Sequence, residues 1–98
     1  MIFNWLNTKD EKAFGESLAV FFAERIPPAS DFKAKKFAAK AQQVLSSMGL
    51  QVDKFKQNHK LNVFKKAQLG NAFKWKLRDA GYDQAYVDEL TEWLMLRF

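Results

Sequence analysis

The chain has 98 residues, 48% of them hydrophobic, which suits one folded domain with a modest core and not a disordered chain. It carries 16 basic and 11 acidic side chains for a net charge of +5, a single His and no Cys. That composition excludes a disulfide framework, a thiolate zinc site and a multi-histidine metal centre.

The opening Met1-Ile2-Phe3-Asn4-Trp5-Leu6 is apolar but short, lacks a basic flank and runs at once into polar Asn7-Thr8-Lys9. It has neither the apolar core nor the cleavage site of a signal peptide. It reads as a lead-in that tucks Phe3, Trp5 and Leu6 onto the core. No apolar run approaches the ~18–20 residues needed to span a bilayer, so a cytoplasmic protein is expected.

Thr8-Lys9-Asp10-Glu11 has the form of a capping box, and Phe14, Leu18, Phe21 and Phe22 follow at helical spacing. Pro27-Pro28 must end this helix, because a residue before proline is pushed out of the α region. The first helix is therefore predicted over 9–26. Ser30 or Asp31 is placed to cap a second helix over 31–48, with Gly49 as its left-handed stop. Its apolar set, Phe37, Ala41, Val44, Leu45 and Met48, follows one buried face. Residues 50–61 are the weakest segment, with an optional short helix near 53–59 carrying Phe55. An uninterrupted helix from Asp53 to Ala80 is the competing reading. Asn62 then caps a third helix over 62–80, closed by Gly81. Asp83 opens a fourth over 83–97, with Tyr82 and Val87 spaced as a hydrophobic staple. No segment alternates with period two, so the expectation is an all-α, single-domain bundle of four helices.

Charge is segregated along the chain. Residues 1–32 carry three basic and five acidic groups, residues 33–78 carry twelve basic groups against Asp53 alone, and residues 79–98 carry five acidic groups with Arg97. Two readings follow. The basic middle packs beside acidic ends and the charges offset one another across the surface. Alternatively the basic groups gather on one surface and attract a polyanion, most often nucleic acid, or an acidic protein. Lys33, Lys36 and Lys40 follow a helical stripe, and Lys54, Lys56, Lys60, Lys65 and Lys66 add to it. Lysine serves as a point charge on phosphate and does not read bases bidentately, so binding with little sequence preference is the better fit.

The third helix is apolar on one side, with Leu69, Phe73, Leu77 and Ala80 together and Val63 and Gly70 on the shoulder. Phe64 and Trp75 fall on the other side beside Gln68, Asn71 and Arg78, with Lys74 at the edge. Three accounts compete: a helix buried on both sides, a face that docks a protein partner or second copy through Phe64, Trp75 and Arg78, or a platform where Trp75 stacks on a base while Lys74, Arg78 and Lys65 hold phosphates. Gly70, costing ~1 kcal/mol in a helix interior, points to a close helix crossing.

Nothing assembles as a catalyst. There is no phosphate loop, no nucleophile elbow and no carboxylate–histidine motif, and His59 lies in the polar connection Gln57-Asn58-His59-Lys60. Asp88, Glu89 and Glu92 read as a solvated face. A helix-turn-helix over the last two helices is discarded, because the recognition helix would be the acidic one. The expectation is a non-enzymatic binding module without cofactor, metal or small-molecule substrate. Nucleic-acid phosphates are its leading ligand, and protein interaction or homodimerisation is the alternative.

Overall fold

Helical periodicity, one double proline and two well-placed asparagine and aspartate caps translate into four helices. The computed structural model describes residues 7–28 and 35–98, with side-chain surroundings for 7–28 and 39–98. Among these residues the helices are α1 (Lys9–Arg25), α2 (Lys35–Asn58), α3 (Val63–Asp79) and α4 (Gln84–Met95), and there is no strand. The predicted lead-in contacts of Phe3, Trp5 and Leu6, and the cap at Ser30 or Asp31, lie outside the described residues.

Three of the helices begin and end within two residues of the predicted limits. The caps of α3 and α4 form as expected: the Asn62 side chain accepts from Lys65 N at 2.8 Å, and Asp83 accepts from Ala85 N at 3.1 Å. Tyr82 and Val87, the staple pair, are both buried. Gly81 closes the α3–α4 turn with φ of +100°, a conformation that a side chain would strain. The capping box at Thr8 does not form. Thr8 sits at φ −111° and ψ 16°, away from extended cap geometry, and makes no side-chain cap bond. Asn7 does that work instead, its Oδ1 accepting from Lys9 N at 3.1 Å.

The main correction concerns α2. Gly49 does not stop it; the helix continues to Asn58 and absorbs the optional short helix at 53–59. The reason lies in phase. Val44, Met48 and Val52 are all buried and spaced by four, and Phe55 follows three later, so the apolar stripe crosses Gly49 without a break. Burying that continued stripe outweighs the ~1 kcal/mol that a mid-helix glycine costs. The Arg97 guanidinium lies over the bare glycine, its Nη1 3.1 Å from where a Cβ would stand. At the far end, Asn58 Nδ2 donates to the Lys54 carbonyl and His59 Nδ1 bonds to the Phe55 carbonyl. The chain then breaks over residues 59–62, so the alternative of one helix from Asp53 to Ala80 is also set aside.

The most extensive packing is between α1 and α3. Gly15 lies against the α3 backbone from Leu69 to Phe73, and Ile26 lies beside Tyr82, so the two helices run in the same direction. α4 returns antiparallel along α3, with Met95 beside Gly70 and Asp88 beside Lys74. α2 returns antiparallel to α1, with Phe55 stacked on Phe14. One end of the molecule therefore gathers the start of α1, the end of α2, the start of α3 and the end of α4. The core holds Leu18, Phe22 and Ile26, Met48 and Val52, Leu69, Phe73 and Leu77, and Val87, Leu90 and Leu94.

Tyr82 ties the fold at the other end. Its hydroxyl donates to the buried Ile26 carbonyl, 56 positions away in the chain. Burial, reinforced by Tyr86, pushes its phenol from 10.0 up to about 12. Tyr86 moves the same way through burial and Glu89. A folded-state value above the unfolded one means that the native state holds the proton more tightly. Stability is thus full below pH 10 and falls as the pH rises toward about 12. Tyr82→Phe is expected to flatten that alkaline loss while lowering stability at neutral pH by about 1 kcal/mol for the lost hydrogen bond. Thermal melts of both proteins from neutral to alkaline pH check it; an unchanged alkaline slope would show that Tyr82 is not its source.

Candidate functional site

The ten basic candidates and Trp75 divide into separate groups. Lys33 lies outside the described residues, and Lys36 lies in α2 with its side chain outside them. Lys40 and Lys54 are both exposed on α2. They stand 14 positions apart on one continuous helix, hence ~21 Å along its axis and within ~40° in rotation. Continuity through Gly49 is what aligns them.

A second group meets where α2 gives way to α3. Lys56, His59, Lys60 and Lys66 line one cavity of about 350 Å³, together with Leu61 and Phe98. No acidic side chain lines it. Two of the lysines are held in place: Lys56 Nζ donates to the Arg97 carbonyl at 2.8 Å, and Lys66 Nζ donates to the Phe98 main-chain oxygen at 3.0 Å. An ammonium has three donors, so each anchored lysine keeps others for a further acceptor. Lys65 joins from the neighbouring cavity of about 320 Å³, which it shares with Lys60, His59, Asp10 and Glu11. Asp10 and Glu11 thus flank the corner on the α1 side.

His59 was read from sequence as a surface residue of a polar connection. The structure makes it part of a three-ring stack. Phe14 and Phe55 lie 4.2 Å apart with planes 7° from parallel, and Phe55 and His59 lie 4.0 Å apart at 10°. Because a carbonyl can only accept, the bond to Phe55 O places a proton on Nδ1. Nε2 is then turned to Asp10 Oδ2 at 3.8 Å, an ion pair when the ring is protonated. The signal for this was the i, i+4 spacing of Phe55 and His59, which carries meaning only once α2 runs that far. Arg97, whose guanidinium lies 4.6 Å over the Trp93 ring, was likewise missed.

The third group lies on the distal half of α3. Trp75 is 55% exposed and Phe64 41% exposed, so the two aromatics are on the surface and α3 is not buried on both sides. Arg78 lies 4.7 Å over the Trp75 ring. Lys74 does not turn to Trp75; it pairs with Asp88 of α4 at 3.5 Å. Trp75 forms one wall of a groove of about 410 Å³ between α1 and α3, lined also by Lys12, Glu16, Gln68, Asn71, Lys76 and Asp79. Its charges are of both signs. The base-stacking arrangement of Trp75 with Lys74, Arg78 and Lys65 is therefore not assembled: Lys65 is at the other end of the helix, ten positions or ~15 Å from Trp75.

Among the described residues no three His, Asp or Glu side chains gather as a metal-binding group, and no helix is long and apolar enough to cross a membrane. Compared with known proteins, the chain matches no family model, no curated protein and no solved structure.

Proposed function

We propose that this chain is a non-enzymatic binding module that holds nucleic-acid phosphates, with little sequence preference, at the α2–α3 corner. The observation that carries the reading is the cavity where Lys56, Lys60 and Lys66 converge with His59 and which no acidic side chain lines. Three ammonium groups around one concavity repel one another in the free protein, and an anion placed among them relieves that repulsion. Lysine supplies charge without bidentate geometry, so the contacts position a backbone and leave bases unread. Lys65 beside the corner, and Lys40 and Lys54 along α2, extend the attraction to further phosphates. The acidic α4 lies away from the corner for most of its length, with Lys74 engaging Asp88. Lys74 thus has its acidic partner away from the corner.

The test is a titration of labelled single- and double-stranded oligonucleotides at several salt concentrations. Neutralising four phosphates of duplex DNA would give a slope of log K against log salt of about −3.6. Reversing two corner charges, Lys56→Glu with Lys60→Glu, is expected to weaken binding roughly tenfold or more on every sequence, and to flatten the slope by about 2. The absence of binding at low salt, or equal binding by the doubly reversed variant, would overturn the reading.

A further inference from the structure

The outer face of α3 carries a pattern that reads the same from both ends. Phe64, Gln68, Asn71 and Trp75 follow spacings of four, three and four residues, the a/d spacing of a heptad seam, and all four are wholly or partly accessible. In order they are aromatic, amide, amide, aromatic. Ala67 and Ala72, one on each flank, are placed symmetrically about the same centre, between Leu69 and Gly70. A stripe with this inverted symmetry is its own complement when two copies lie antiparallel. We infer that the chain forms a two-fold homodimer through α3, with Phe64 of each copy against Trp75 of the other and Gln68 against Asn71.

Shape and charge both favour a second copy as the occupant. Each stripe holds a projecting ring, Phe64, and a hole, the groove of about 410 Å³ beside Trp75. They are 11 residues or ~16 Å apart along the helix, and a two-fold axis through the stripe's centre carries each ring into the other copy's groove. The small, exposed Ala67 side chain on one flank lets the helices approach, while Ala72 on the other packs toward Gly15 of α1. The two amides offer both donors and acceptors across the axis, and one polar layer within an a/d seam fixes register. Lys60 lies in the break just before α3, and Asp79 is the last residue of that helix. The register that seats the rings therefore brings opposite charges to both rims. Arg78, already over Trp75, adds a cation to each aromatic cluster.

A single helix pair buries little area, at the low end of specific interfaces, so dissociation in the micromolar range is expected. The aromatic seam lies on the opposite side of α3 from the corner and needs no nucleic acid, and Lys60 alone is shared with the corner. Sedimentation equilibrium from roughly 10 μM to 1 mM tests it first. A reversible dimer that Phe64→Glu or Trp75→Glu weakens at least tenfold is the expected result. Both positions are exposed, and unchanged helical circular dichroism separates lost association from lost fold. Register is tested with single cysteines, unambiguous in a chain that has none. Mixed Gln68→Cys and Asn71→Cys proteins should form a disulfide faster than either protein does alone. A monomer throughout that range overturns the proposal and leaves the face to a different protein. So do a dimer insensitive to both glutamates, and self-linking faster than mixed linking.

Discussion

Truncating Phe73 to alanine is expected to cost about 3–5 kcal/mol, whereas truncating Trp75, two residues on, should cost less than about 1 kcal/mol. The two rings differ in size in the wrong direction for that outcome, so burial must decide it. Phe73 is 0% exposed and sits at the centre of the core between Leu69 and Leu77. Its removal strips the transfer energy of a whole ring and leaves a cavity that neighbouring helices fill only in part. Trp75 is more than half exposed, and its truncation gives up mainly the contact with Arg78. Urea denaturation of the two variants under identical conditions measures the difference. Comparable losses would mean that α3 is buried on both sides, and the inference of a free outer face would fail with it.

Gly15→Ala should destabilise the fold by about 1–3 kcal/mol, although helix propensity alone predicts a gain near 1 kcal/mol. A methyl group at this position would overlap the Leu69 carbonyl oxygen and come within 3.2 Å of both Ala72 Cβ and Phe73 N. Two of those obstacles are backbone atoms of α3, which can move only if the helix moves. The pair α1 and α3 forms the most extensive contact in the fold, so a shift there is transmitted to the core. Gly70→Ala is the control. Its methyl would meet Met95 Sδ at 2.6 Å, the far part of a flexible thioether that can swing aside, and the propensity gain then offsets the clash. Thermal or chemical denaturation should separate the two by at least 1 kcal/mol. If both alanines behave alike, the close approach of α1 to α3 does not constrain position 15.

The two glycines also show where sequence reading succeeds and where it fails. Gly70 points in sequence to a close helix crossing, but what lies over it is the Met95 side chain of α4, and the close backbone approach is at Gly15. No periodicity marks Gly15, because its partner is far away in the chain. Gly49 misled for a different reason. In a window of 18 residues it looks like a stop, and only the phase match of Met48 with Val52 and Phe55 shows that the buried stripe goes on. That one difference concealed the corner: a helix ending at 48, with only an optional short helix near 53–59 after it, leaves the placement of Lys56 and His59 against the other helices unset. The polarity of α3 was legible because 100° per residue is a local rule. The division of the lysines into groups was not, since it depends on which helix ends meet, and the pairing of Lys74 with Asp88 depends on how α4 folds back.

The described residues extend over 49 × 24 × 19 Å, more than twice as long as broad, with a radius of gyration of 13.8 Å against about 13 Å for a typical domain of this length. That elongation follows from α2, whose 24 residues alone span ~36 Å. A rod drags more solvent than a sphere of equal mass and slows more when it turns end over end than when it spins about its long axis. On a sizing column the lone chain will therefore elute ahead of a compact 11.4 kDa standard and imitate a heavier species. In solution its amide bonds will reorient at rates set by their angle to that axis, slowest for those that lie along it.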